Sequence, residues 1–142
     1  MIRLCRVGTT RLVLVVGAWA FKFARGARGR RCNKYEAELF INVDDRRREM
    51  LCPVRWCSNA HSVLIMDTAQ PLTESDHANL LDREEFPDWD YRPFEDGEPF
   101  EYKASDWGRL KDGRLVAVDY SAPAHHTKAE LDELTRAAAR PG

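Results

Sequence analysis

The sequence predicts an α+β domain: an antiparallel five-stranded sheet with one main helix, in the order β-β-β-α-β-β, then a shorter C-terminal part with a helix, a β-hairpin and a terminal helix. Three observations predict it. Residues 2–24 hold three apolar runs separated by Gly8-Thr9-Thr10 and by Gly17-Ala18, the pattern of a tight strand meander. A helix signal follows and precedes two more strand-like runs, at 52–57 and 62–68. Asp112-Gly113 between two apolar runs is a strong hairpin signal.

Each element has its local reason. Residues 2–7 alternate weakly, and residues 11–16 are β-branched and apolar. Residues 19–24 alternate, with Trp19, Phe21 and Phe23 on one face and Ala20, Lys22 and Ala24 on the other, so Lys22 faces inward. Residues 26–31 read as a basic, Gly-containing loop. Asn33 reads as the helix N-cap, with Glu36 three residues on, and the helix runs to about Phe40. Asp44-Asp45 caps a short turn over 46–50. Gln70-Pro71 ends the sheet, and Thr73 caps a helix over 73–83 with Glu74 and Asp76 in its first turn. Residues 86–99 read as an ordered loop, 100–104 as extended and 127–139 as a terminal helix. The whole chain, 1–142, reads as one domain, with 1–69 a sheet-and-helix lobe and 70–142 a shortened second lobe.

The charge is divided unevenly. Residues 1–50 hold twelve Lys/Arg and five Asp/Glu, a net of +7; residues 51–142 hold ten and eighteen, a net of −8. Such a split fits two mutually attracting halves, or two faces with different partners. Cys5, Cys32, Cys52 and Cys57 read as reduced thiols, because a chain of this size needs no disulfide staple. Cys52, Cys57 and His61 with Cys32 are spaced too loosely for a zinc site, and no zinc is expected. The apolar run Leu12 to Phe21 is ten residues before Lys22, against the roughly twenty that a membrane span needs. A basic stretch follows it where a cleavage region is small and uncharged, so the reading is cytoplasmic with no membrane partner.

The element order and a set of residues carry a resemblance. Ala20-Phe21-Lys22 resembles the third-strand Ala-x-Lys motif of protein kinases, whose small lobe has the order β-β-β-α-β-β. The resemblance implies that Lys22 pairs the phosphates of ATP and is held by Glu36; Glu38 lies about 200° round the helix from it. Residues 64–69 resemble the strand that runs into the hinge, with Met66 as gatekeeper and the backbone of Asp67 to Ala69 beside the adenine; Ala20 lines the same place. Asp106 stands where the family has a metal-binding Asn, and Asp119 where it has the metal-binding Asp, so the resemblance implies Mg²⁺ at this pair. Glu101 falls where the catalytic base would be. The pattern is also similar to uncharacterised bacterial and phage proteins.

The sequence departs from that pattern in places. The glycine-rich loop is reduced to Gly8 with Thr9-Thr10, the His-Arg-Asp motif is absent, and Tyr120-Ser121 follows Asp119 in place of Phe-Gly. Each residue also has a plainer reading: Lys22 and Glu36 as a structural pair, Asp106 as a turn cap, Asp119 as a strand end, Met66 as core. The aromatic cluster Trp89, Tyr91, Phe94, Phe100, Tyr102 and Trp107 reads as the packing of the irregular loop. The expectation is a pseudokinase-like protein that acts by binding an unidentified protein partner, with a vestigial nucleotide site. The alternatives are a minimal ATP- and Mg²⁺-dependent phosphotransferase, and a nucleic-acid binder using the basic first half, where Arg25, Arg28, Arg30 and Arg31 cluster.

Overall fold

Gly17, at φ 58, makes the tight turn between β2 (Arg11–Val16) and β3 (Trp19–Ala24), a conformation that glycine adopts without steric cost. The computed structural model that shows this describes residues 2–7, 10–93, 95 and 97–125, with the backbone only for 5–7. With β1 (Ile2–Val7), β4 (Val54–Cys57) and β5 (Val63–Asp67) these strands form one antiparallel sheet in the order β1-β2-β3-β5-β4. The chain is thus α+β, with one main helix, α1 (Ala27–Asn42), packed on β3, β4 and β5.

That helix begins seven residues before the expected start. Gly26, at φ 88, is its N-cap, and the stretch expected as a basic loop forms its first turns. Ala and Arg are good helix formers, and the signal they carry outweighs the Asn33 cap signal. Asn33 sits in the helix interior because its side chain has buried partners: its Nδ2 donates to Lys22 O at 3.2 Å and to His61 O at 2.9 Å. Gly29 lets the helix approach the sheet, since a Cβ there would lie 2.2 Å from Thr10 O.

The short turn is α2 (Asp45–Arg48), capped by the Asp44 side chain accepting from Arg47 N–H. Gln70-Pro71 does not simply end the sheet. It forms β6 (Gln70–Pro71), the edge of a second sheet with β7 (Trp107–Arg109) and β8 (Leu115–Ala117). An edge strand is where a proline is tolerated. Thr73 caps α3 (Glu74–Asp82), its hydroxyl accepting from Asp76 N–H. Residues 100–104, expected as extended, bend into a 3-10 turn over Ala104–Asp106. The bend is fixed by Trp107 Nε1, which donates to Glu101 O at 2.8 Å, and by aromatic packing in place of a strand partner. Phe100 meets Trp107 edge-on at 4.7 Å and Trp89 at 5.6 Å, so the irregular loop is packed by its own rings. The expected terminal helix, together with Gly8, Thr9 and Phe94, lies outside the described residues.

The main core joins the two sheets through Leu51, Leu64, Met66, Trp107, Val116 and Tyr120. Cys52 N–H donates to Ala117 O and Ala117 N–H to Met50 O, both at 2.8 Å, so β8 is tied directly to the chain entering β4. Among the described residues, no helix is long and apolar enough to cross a membrane.

Candidate functional site

Strand register sets the site. Across the Gly17 turn, Arg11 pairs with Ala24, Val13 with Lys22 and Val15 with Ala20; across the next ladder, Lys22 pairs with Leu64 and Ala20 with Met66. Directly paired residues share a face, so Arg11, Val13, Val15, Ala20, Lys22, Leu64 and Met66 all point to the buried side. Small Ala20 leaves space there. The result is an apolar cavity of about 260 Å³ between the two sheets. Val13, Val15, Ala20, Met66, Trp107 and Val118 line it, Asp67 to Ala69 form one edge, and Lys22 lies in its wall.

Lys22 reaches Glu36. Its ammonium donates to Glu36 Oε1 at 3.0 Å and Oε2 at 3.3 Å, and also to Val118 O. Glu36 is 0% exposed, while Glu38 on the same helix is exposed. Glu36 also accepts from Arg11 Nη1 and, at 2.8 Å, from Tyr120 N–H. Burial pushes its carboxyl up, but Arg11 and Lys22 together hold it below the usual carboxylate range.

Arg11, which the sequence reading passed over, is the hub. Its guanidinium donates to Asn33 Oδ1 at 3.1 Å, to Glu36, to Asp119 Oδ1 at 3.2 Å and to Ser121 Oγ at 3.3 Å. It therefore joins the sheet, α1 and the segment after β8. Its position was readable: a two-residue turn at 17–18 gives Arg11 the same parity as Val13, which pairs with Lys22.

Asp119 lies beyond Arg11, in the wall of a second, polar cavity of about 300 Å³ that Asp106, Glu101, Lys103 and His125 also line. Asp106 is fixed at the base of the β7–β8 hairpin, where its carbonyl accepts from Val118 N–H at 2.7 Å. Asp106 Oδ2 accepts from Glu101 N–H at 3.0 Å, while the buried Oδ1 has no hydrogen-bond partner among the described residues. Burial, and then the Asp119 charge, push the Asp106 carboxyl up to about 6. The Glu101 side chain is 69% exposed at the rim.

The structure thus brings Lys22 and Glu36 into contact, puts Ala20, Met66, Asp67 and Ala69 around one cavity, and gathers Glu101, Asp106 and Asp119 around a neighbouring one. Val118 and Asp119, adjacent in sequence, join the two. Asn33, Tyr120 and Ser121 belong to the cluster as well, and only three-dimensional contact reveals them. Among the described residues, no group of three or more His, Cys, Asp or Glu side chains is placed to hold a metal ion. The Cys52 thiol donates to Asp67 O at 3.1 Å, and burial pushes its pKa up to about 12, so it is a neutral part of the cavity wall. No protein-family model, curated protein or solved structure matches the chain.

Proposed function

We propose that the chain is a kinase-like, pseudokinase-type protein that binds a nucleotide through its base and does not transfer phosphate. One observation carries the reading: an apolar slot edged by Asp67 to Ala69, with Lys22, paired to the buried Glu36, in its wall. A volume of about 260 Å³ is just below the usual range of small-ligand cavities, which suits a single ring system. The element order and the Lys22–Glu36 contact support the likeness to the small lobe of kinases. The Arg11-bound Asp119 opposes catalysis, because a metal ligand must be available to the reactants. Calorimetric titration with ADP and with adenosine tests the reading. Both bind the wild-type chain, and Ala20→Leu, which fills the slot from β3, lowers affinity at least tenfold with the fold retained. Equal binding by Ala20→Leu, or no binding of either ligand at millimolar concentration, would remove the reading.

A second reading, a protein acting through a macromolecular partner, is favoured by the outer face of the main sheet. Ile2, Val16 and Trp19 form one row across it, and Leu4, Leu14, Phe21, Ile65 and Trp56 form the next. Ile2, Leu4, Val16, Trp19 and Trp56 are exposed. Asp67, which pairs with Trp19, is tied to Arg55 at 2.6 Å. By strand spacing and rise, with the row Leu12, Phe23 and Val63 added, the face covers about 500 Å². Two copies stacked through it would bury on the order of 1,000 Å², the lower bound for a specific interface. The occupant this face fits is a second copy of the chain, since the apolar rows repel nothing and match themselves. Sedimentation equilibrium then gives a dimer at tens of micromolar that Trp19→Glu splits; a wild-type monomer at about 100 μM contradicts it.

A further inference from the structure

The resemblance implies a divalent cation at Asp106 and Asp119, and the residues around the pair do not fit one. A hard cation such as Mg²⁺ or Mn²⁺ is bound through about six oxygens, and the protein must offer carboxylate oxygens that are open to it. Here Asp119 Oδ1 is taken by a side-chain cation and Asp106 Oδ2 by the Glu101 N–H. Arg11 donates from one terminal nitrogen to Asp119 Oδ1 at 3.2 Å and from the other to Glu36, so a guanidinium fills the space between those carboxylates. Ser121 Oγ also donates to Asp119 Oδ1, at 3.4 Å.

Lys103, which lines the same cavity as Asp119, lies near the remaining two acids. Its ammonium is 3.9 Å from Asp106 Oδ1 and 3.6 Å from Glu101 Oε2. Asp106 Oδ1 is the buried oxygen without a hydrogen bond among the described residues, and one such oxygen is too few for a hard ion. Arg11 and Lys22 stand against Glu36 and Asp119, each with an ion-pair or hydrogen-bond partner of opposite sign within the cluster, so these four charges balance without a metal. A divalent ion beside Asp119 would add two positive charges near Arg11 and Lys22, and like charges repel.

We propose that Arg11 is the resident cation of this cleft, held between Glu36 and Asp119 and occupying the Asp119 oxygen that a divalent ion at Asp106 and Asp119 would need, so that the wild-type chain takes no metal there and binds its nucleotide metal-free. The last clause rests on the nucleotide reading of the cavity; the first does not. Arg11 has features that suit the role. It is charged at any working pH, it cannot exchange into solvent, and its planar fork serves two carboxylates at once.

The test uses Mn²⁺ alone as the probe, read by electron paramagnetic resonance on the full chain. Wild type shows no site tighter than about 1 mM. Arg11→Gln, checked for folding by circular dichroism, gains a site at least tenfold tighter, and adding Asp119→Asn removes it; Arg11→Met is read in its place if the Gln variant is unfolded. ADP binds wild type equally well in EDTA and in magnesium. Micromolar Mn²⁺ binding to wild type that Asp119→Asn removes would overturn the proposal, and so would a folded Arg11 variant that gains no site. Failure of ADP to bind under either condition removes the nucleotide reading, while the Mn²⁺ titration still decides the role of Arg11.

Discussion

Two arginines of this chain are almost equally buried, Arg11 at 4% exposed and Arg47 at 7%, and they serve different ends. Arg47, on α2, donates to Trp89 O at 3.0 Å, to Asp90 O at 2.7 Å and to both carboxylate oxygens of Glu95 at 3.0 and 3.2 Å. Its guanidinium also lies 5.1 Å from the Trp89 ring. Half of its acceptor atoms are backbone carbonyls, and Glu95 keeps contact with solvent. Arg47 is a staple that holds an irregular loop on the body of the protein. Arg11 has titratable side chains as partners, and they line or adjoin two cavities. Burial and pairing are common to both residues and therefore do not mark a site. What separates them is whether the paired groups face solvent-sized space.

The largest effect expected from this comparison is on stability. Glu36→Ala leaves Arg11 and Lys22 buried without their shared carboxylate and costs about 3–5 kcal/mol, much of the stability of an ordinary domain. Arg47→Ala costs less, about 2 kcal/mol, because Glu95 can hydrate and the loss falls on two backbone carbonyls. The location differs as well. In hydrogen exchange, Arg47→Ala deprotects the loop around Trp89 and leaves nucleotide binding intact, whereas Glu36→Ala loosens α1 and the segment around Tyr120 together. A uniform loss of protection in Arg47→Ala would show that the staple is part of the same cooperative unit as the cleft.

Much of the cleft was legible in the sequence, for a physical reason. A two-residue turn fixes strand register, and strand alternation then fixes the face, so inward Lys22 follows from Gly17-Ala18 and the pattern of residues 19–24. Helical spacing separates Glu36 from Glu38 in the same way. The same register applied to the other strand of the hairpin places Arg11 beside them, but a basic residue at a strand start looks like a solvated one unless its parity is counted. The start of α1 is not legible, because Asn33 carries the signal of a common N-cap while the buried partners that hold it inside the helix, Lys22 O and His61 O, are tertiary. β6 is two residues long and owes its existence to β7, which is far off in sequence. The burial of Asp106 likewise depends on residues 101, 118 and 119 closing over it.

A smaller effect sharpens the comparison through pH. The Asp106 carboxyl is pushed up to about 6, mainly by burial, above its ordinary value of 3.8. The folded state therefore binds this proton more tightly than the unfolded chain does. The stability that the protonated form supplies is fully present below about pH 4 and is lost as the pH rises through about 6. Asp106→Asn removes the ionisation, so the variant is more stable than wild type by about 1–2 kcal/mol at pH 8, and the gap closes by pH 4. Denaturant melts at the two pH values measure this directly. A gap that stays constant with pH would mean that Asp106 titrates as an ordinary surface carboxylate.

The most direct measurement of the central claim is a methyl NMR titration with adenosine on chain labelled at the methionine methyls. Met66 lines the cavity, whereas Met50 is buried in the core and is not among the lining residues. The account predicts a saturating shift of the Met66 methyl, little change at Met50, and loss of the Met66 response in Ala20→Leu. Methyl signals that stay in place at millimolar adenosine, or that move alike in wild type and Ala20→Leu, would contradict it.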